Sequence, residues 1–138
     1  MLMSKIRSVL VYVLMLLAIP SGVFAEEGSE ALNEGKHKIN FNPFHLSLFK
    51  RGRVVGQAEL RIVLQLEDGD DYEEFNNIKT QIRADFISAL TELARIRFHV
   101  NRPINPDVVK AYLTPFADYR LGEGRVQIYV MHATIEPK

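Results

Sequence analysis

The sequence predicts an α+β domain in which a small antiparallel three-stranded sheet carries two helices on one face. Between residues 44 and 66, two runs alternate apolar and polar residues, which is typical of strands. After residue 70 the apolar residues recur every three or four positions, which indicates helices. A last β-rich run begins at residue 125. The resulting order, strand, strand, helix, helix, strand, is typical of an α+β domain.

The first two strands are predicted to form a hairpin. Phe44, Leu46 and Leu48 share one face of the first strand, and alternate residues from Ala58 to Leu66 share one face of the second. The segment "KRGRVVG" between them has a glycine near each end, as a tight connection requires. The opposite face is polar, so we expect it to be exposed to solvent.

The helical stripe predicts one long helix from about Asp71 to Arg97, with an acidic start and a basic end that suit the helix dipole. A second helix is predicted from Asn105, as N-cap, to about Leu121, and Pro115 should kink or restart it. The residues expected to be buried in these helices are Tyr72, Phe75, Ile78, Ile82, Phe86, Ala89, Leu90, Leu93, Ile96, Val108 or Val109, Tyr112, Leu113 and Phe116. The last strand has apolar residues on both faces, which suits a central or covered strand.

The first 25 residues have the layout of a secretory signal peptide. Lys5 and Arg7 precede an apolar core of only 11 residues, and a Pro-Ser-Gly turn follows it. Small residues then predict cleavage between Ala25 and Glu26, with export to the periplasm. An uncleaved anchor with a single inner-membrane span is the alternative, because the 18 uncharged residues between Arg7 and Glu26 are near the lower limit for a span.

Composition predicts one exported domain after this segment. Cleavage would leave 113 of the 138 residues, enough for a single core. Residues 26–39 are polar and are predicted to be a flexible linker, with the folded domain at residues 40–138. Loss of two basic residues leaves 15 against 17 acidic ones, a formal charge of −2. This near-neutral balance argues against nucleic-acid binding. The chain has no cysteine, which excludes disulfides and thiolate chemistry.

The acidic run from Glu67 to Asp71 predicts a turn between strand and helix. A calcium loop of twelve residues would need a later glycine than Gly69 and a helix that starts further on. We therefore expect the carboxylates to cap the helix and to hold no metal.

Histidine and serine positions give no convincing site for catalysis. The four histidines, His37, His45, His99 and His132, lack the local spacing of a zinc site. His45 and Ser47 share a strand face and Glu59 lies across the hairpin, which are the residue types of a catalytic triad. A flat hairpin face, however, offers neither a water-excluding cavity nor oxyanion donors. We expect no enzyme and no cofactor, with a small hydrolase using His45 and Ser47 as the third function considered.

Exposed cations are the predicted interaction surface. Arg51 and Arg53 lie at the hairpin tip, and Arg95, Arg97 and Arg102 lie near the end of the long helix. These side chains could pair with an acidic protein partner, and an ordinary solvated surface is the alternative. A three-stranded sheet also leaves two edges open to strand addition, which would allow a homo-oligomer.

Four stretches of the chain, taken in order, are similar to one known family. They are "NPFHLSLFKRGR" for an opening strand, "AELRIVLQLED" for a second strand, "IKTQIRADFISALTEL" for a long helix and "YRLGEGRVQIYVMHATI" for the ending. Together, from about Phe41 to Ile135, they resemble the periplasmic domain of the flagellar basal-body-associated FliL proteins. This sequence differs at Ser47, where the family commonly has Asn.

The resemblance implies a non-enzymatic protein that acts by contact. FliL proteins are inner-membrane proteins with one uncleaved span and a periplasmic domain related to stomatin-type domains. They form rings or arcs around the flagellar stator and modulate torque or stator stability. For this chain the resemblance implies partners in the stator or basal body and a part in motility. The alternative is a periplasmic module that binds a small ligand between the sheet and the helices.

Overall fold

A long central strand organises the sheet. The computed structural model describes residues 37–138 and confirms an α+β fold with an antiparallel sheet. The strands are β1 (Lys38–Asn40), β2 (Phe44–Lys50), β3 (Arg53–Leu66) and β4 (Val126–Pro137), and the other three all pair with β3. Since β4 occupies one side of β3 along its length, β1 and β2 follow each other on the opposite side.

The sheet has four strands and not the three predicted. The additional strand, β1, overlaps the segment expected to be flexible, and its Ile39 is only 2% exposed. A strand of three residues has no alternation to recognise, so only its pairing with β3 defines it. The predicted signal peptide, its cleavage between Ala25 and Glu26, and residues 26–36 lie outside the described residues.

The helical region contains three helices where two were predicted. They are α1 (Tyr72–Asn77), α2 (Lys79–Arg97) and α3 (Pro106–Leu121), and Ile78 separates the first two. The apolar stripe continues across this break, so the periodicity alone could not reveal it. By contrast, α3 begins as predicted, with the side chain of Asn105 accepting a hydrogen bond of 2.9 Å from the backbone N–H of Asp107. It continues through Pro115 without restarting.

One hydrophobic core lies between the helices and a single face of the sheet. Alternate residues of β2 and β3 fill it from the sheet side, and all three helices contribute buried side chains. Two residues expected in the core are not buried there: Ile96 is 57% exposed and Phe116 is 38% exposed. Among residues 37–138, no helix is both long and apolar enough to cross a membrane.

The last strand lies at the outside of the sheet and not at the centre. β4 pairs only with β3 within the described residues, and its ladder is interrupted by a bulge opposite Arg61 and Ile62. Tyr129 and Met131 are 41% and 68% exposed, so the second apolar face of this strand is not covered. Local pattern could not show this, because apolar residues on both faces occur in covered strands too.

Candidate functional site

The hairpin tip is a tight two-residue turn that presents its cations to solvent. Lys50 pairs with Arg53, and the two residues between them have positive φ angles, 52° for Arg51 and 76° for Gly52. Positive φ angles at both central residues are typical of a type I′ turn, whose backbone twist matches the twist of the two flanking strands. Lys50, Arg51 and Arg53 are all exposed, so three cations lie within four residues of chain.

The connection between α2 and α3 brings further cations to the same end of the domain. Arg97 is the last residue of α2, and Arg102 follows in the connection; both are exposed. The connection packs over the base of the hairpin. Its Val100 lies so close to Gly56 that a Cβ at Gly56 would be only 2.9 Å from a methyl group of Val100. We call the group formed by Lys50, Arg51, Arg53, Arg97 and Arg102 the basic end.

Arg95, the fifth predicted cation, differs from the others. Its guanidinium lies 2.7 Å from the carboxylate of Glu92, one turn back on α2. The pair is exposed and removes one positive charge from the surface that a partner would meet. The packing of the connection over the base of the hairpin therefore places Arg97 and Arg102 in the same part of the domain as the hairpin arginines, whereas Arg95 is paired with Glu92.

The side chains of three other arginines form hydrogen bonds or ion pairs within the domain. Arg83 on α2 donates hydrogen bonds to the carbonyls of Asn42 and Pro43, at 2.5 and 3.0 Å, where β1 gives way to β2. Arg120 on α3 makes two bonds of 2.8 and 3.0 Å to the carboxylate of Asp85 on α2. This hydrogen bonding, with the attraction between the charges, raises the pKa of Arg120 above its usual value.

Arg125 ties the start of β4 to α1. Its guanidinium lies 2.8 Å from Asp71 and 3.4 Å from Glu74, and it donates a 2.8 Å bond to the carbonyl of Leu121. Hydrogen bonding to Asp71 is the main cause of a raised pKa for Arg125. Because the pKa of each arginine is raised, these pairs stabilise the folded state while their carboxylates are ionised, and on the alkaline side that contribution is lost only where the arginines lose their protons.

Shallow grooves border the basic end. One of about 130 Å³ is lined by Arg97, Arg102 and apolar residues that include Phe98 and Ile104. A second of about 370 Å³ lies between the connection and the end of β4, where Arg102 also forms part of the wall. Arginine beside apolar surface is the composition that protein interfaces favour.

A third groove lies away from this end, on the outer face of the helices. It measures about 400 Å³ and is lined by Asp85, Pro115, Phe116, Tyr119 and Arg120. Tyr119 is 92% exposed, and Phe116 is exposed along the same groove. Its lining, with a proline and two aromatic rings, would suit a small apolar ligand.

The polar face of the sheet holds the residues considered for catalysis. His45 lies 4.0 Å from Glu59, which also pairs with Arg61 at 3.5 Å. Ser47 lies opposite Gln57 in the ladder, and in residues 37–138 it makes no hydrogen bond to His45. His132 is two strands away from His45, on the far side of β3.

The acidic turn caps a helix, as the sequence predicted. The carboxylate of Asp68 accepts a 2.9 Å bond from the backbone N–H of Asp70, at the start of a short 3-10 helix, Gly69–Asp71, that leads into α1. Nowhere in the described part of the chain do three or more His, Asp or Glu side chains converge as metal ligands.

Sequence reasoning overlooked Lys50 and, more importantly, the separation of charge. β3 is preceded by the basic letters "KRGR" and followed by the acidic letters "EDGDD". A strand of 14 residues holds its two ends roughly 45 Å apart, so these opposite charges lie at opposite ends of the domain. The signal was available in the sequence, because an extended strand converts sequence separation directly into distance.

Comparison with models of known protein families finds no match to this chain. Comparison with curated protein sequences finds no match either. The likeness to the FliL periplasmic domain rests on the sequence stretches quoted above.

Proposed function

We propose that this chain is a non-enzymatic, exported accessory protein that acts through protein–protein contact and self-association, with the basic end as its working surface. The observation that carries the proposal is the packing of the α2–α3 connection over the base of the hairpin, which places five exposed cations in the same part of the domain. They come from two segments far apart in sequence, the hairpin tip and the α2–α3 connection, and only the fold unites them.

The cations of the basic end are free to meet a partner. Within residues 37–138, Arg53, Arg97 and Arg102 make no ion pair, whereas Arg120 and Arg125 are bound to carboxylates of the same domain. Arginine is common at the energetic centres of interfaces because its planar group forms several hydrogen bonds and also packs on apolar surface. An acidic protein surface is the partner that this end fits.

The position of the basic end also favours contact with a partner. The described chain enters at the opposite end, where the imidazole of His37 packs against Gly69. Whatever precedes residue 37, whether a cleaved leader or a membrane anchor, the basic end lies at the far end of β3. The hairpin tip and the start of the described chain are thus at opposite ends of β3.

The flagellar motor is the assembly that we propose for this contact. Its support is the resemblance of residues 41–135 to FliL, whose members act by contact at the stator. In this proposal the chain is periplasmic and docks on stator or basal-body components, and so biases their assembly.

Swimming tests this proposal directly. Deleting the gene should reduce or alter spreading in soft agar while growth in liquid medium stays normal. Complementation with Arg53→Glu/Arg102→Glu should fail, because reversal of two exposed charges repels an acidic partner and leaves the core untouched. Complementation with Ser88→Glu/Ala111→Glu, exposed sites in the middle of α2 and α3, should succeed.

Normal swimming of the deletion strain would refute the motor role. Loss of swimming with the basic end reversed, together with normal levels of the variant protein, would separate a failed contact from a failed fold.

The second candidate is a periplasmic module that binds a small ligand, and the groove of about 400 Å³ beside Phe116 and Tyr119 favours it. Phe116→Ala would damage this groove and leave the basic end intact. A phenotype that follows Phe116→Ala and not Arg53→Glu/Arg102→Glu would support the ligand-binding function over the contact function.

A further inference from the structure

The outer edge of β4 presents backbone groups without a strand to bond them. Lys138 donates a 2.9 Å hydrogen bond to the carbonyl of Val55, so the backbone groups of Lys138 point toward β3. Successive residues of a strand point these groups to alternate sides. Counting back from Lys138, those of Ala133 and Ile135 point away from β3, where no strand lies among residues 37–138. Two N–H donors and two carbonyls therefore form an open edge.

The side chains of the same two residues line a groove. Ala133 lies opposite Leu60 in the ladder and Ile135 lies opposite Ala58, so both side chains point to the helix side of the sheet. They are only partly buried, because the groove of about 370 Å³ lies between them and the α2–α3 connection. A strand added along this edge would direct every second side chain into this groove.

The first half of the β4 edge is already bordered by a lysine. Tyr129 follows the buried Ile128 and faces away from the helices, yet the ammonium of Lys110 on α3 lies 5.4 Å from the centre of its ring. Because β3 closes the other side of β4, Lys110 reaches the ring around the outer edge. A lysine at an edge discourages strand addition. The second half, His132 to Glu136, contains neither lysine nor proline and is the open part.

We propose that the open half of the β4 edge binds an extended segment of the acidic partner as an added strand. This inference rests on the proposed function, because it states how the partner meets the basic end. Arg102 forms part of the groove wall and is exposed. The bound segment would bond its backbone to Ala133 and Ile135, place alternate apolar side chains in the groove and bring a carboxylate to Arg102.

A second copy of β4 fits this edge less well than an acidic segment does. Two copies paired antiparallel about Thr134 would bring the Arg102 of each to the same pair of strands, and like charges across an interface repel. The described lining of the groove contains no carboxylate that would offset this repulsion. The partner that suits the edge is therefore a different protein with alternating apolar residues and acidic flanks.

A synthetic peptide tests the proposal against the purified protein. The probe is a fluorescent peptide of about seven residues that alternates valine and threonine, with glutamate at both ends and blocked termini. Fluorescence polarisation in about 0.15 M salt should show saturable binding. A matched peptide with lysine at both ends should bind at least about fivefold more weakly. Equal binding of the two peptides, or binding of neither, would overturn the proposal.

Methylation of the peptide backbone separates strand pairing from charge attraction. In one version of the glutamate peptide the valine amides are N-methylated, and in another the threonine amides are. The two sets of amides face opposite edges of an extended peptide, so only one set faces β4. One version should lose binding and the other should keep it. Loss in both versions or in neither would contradict strand addition.

Substitutions locate the site. Arg102→Glu should weaken binding of the glutamate peptide at least about fivefold and strengthen binding of the lysine peptide, which also shows that the variant is folded. Arg53→Glu is the matched control, since Arg53 is an exposed arginine of the basic end that does not line the groove. It should leave both affinities within about twofold. Equal effects of the two substitutions would indicate diffuse charge attraction and overturn the site.

Hydrogen exchange identifies the edge that the peptide occupies. The bound glutamate peptide should slow exchange of the amides of Ala133 and Ile135, and leave exchange along β2, the outer strand on the other side, unchanged. Slowing along β2, or protection of Ala133 and Ile135 in a dimer of the protein without peptide, would overturn the proposal.

This result is separable from the proposed function. A chain that binds none of these peptides, but whose Arg53→Glu/Arg102→Glu variant still fails to restore swimming, would reject strand addition and keep docking at the basic end. Peptide binding as described, with normal swimming of the deletion strain, would do the reverse.

Discussion

Gly56 lies where three segments meet. It belongs to β3, and a Cβ at this position would lie 2.8 Å from the backbone oxygen of Glu136 and 2.9 Å from the side chain of Val100. The absence of a side chain lets β4 and the α2–α3 connection approach the hairpin closely. The glycine thus joins the two segments that build the basic end, although the sequence suggested only a turn.

Gly56→Ala should lower the free energy of unfolding by about 1–3 kcal/mol, because the added methyl group meets a backbone oxygen that cannot move freely. Urea unfolding measures the change, with the exposed neighbour Gln57→Ala as control. A variant as stable as the wild type would show that the connection shifts without cost.

Packing, and not backbone hydrogen bonding alone, holds the two longer helices in place. α2 and α3 pack against the sheet and each other, and their outer surfaces are joined by the two hydrogen bonds between Arg120 and Asp85. α3 contains Pro115, which lacks the N–H that would bond to the carbonyl one turn earlier. Packing of the buried Leu113 and Ala117 on either side holds the helix continuous despite this loss.

Pro115→Ala should raise the free energy of unfolding by about 1 kcal/mol or more, because alanine restores the missing hydrogen bond. Chemical denaturation provides the measurement. Pro103→Ala, in the connection, is the control. It should give no stabilisation, because Pro103 lies outside the helices and its replacement only increases the conformational entropy of the unfolded chain. A destabilised Pro115→Ala variant would indicate that packing of the proline ring in the outer groove stabilises the fold by more than the missing backbone hydrogen bond destabilises it.

As a whole molecule, residues 37–138 share a single core. Every α-helix and strand contributes to one cluster of buried side chains, in which Phe41, Phe44 and Phe86 touch with ring centres 5.7–6.5 Å apart. The charged ends lie beyond this core and contribute little to its packing. Stability and surface charge are therefore largely independent in this fold, which is why charge reversal at the ends can test function.

Thermal unfolding should be a single cooperative transition, with the same midpoint from backbone circular dichroism and from tyrosine fluorescence. A reducing agent should leave this midpoint unchanged, because the chain has no cysteine. Two separated transitions would contradict a shared core and would point to independent unfolding of the helical layer.

Much of the architecture was accessible from the pattern of residues. The alternation in residues 44–66 determines the hairpin and its buried face, and the Asn105-Pro106 start determines where α3 begins, since both signals act within a few residues. The acidic turn, and the placement of four of the five predicted surface arginines in or beside loops, could also be predicted from local sequence. Such features depend on backbone preferences and on the side of an element that faces the core.

Only the tertiary structure decided how separate elements combine. It placed β1 beside β3, broke the long helix at Ile78, left β4 at the edge of the sheet and exposed Phe116. It also packed the α2–α3 connection over the base of the hairpin and set the acidic turn at the far end of β3. The physical reason is that pairing, burial and summed charge depend on residues distant in sequence, and no local pattern records which distant surface each element will meet.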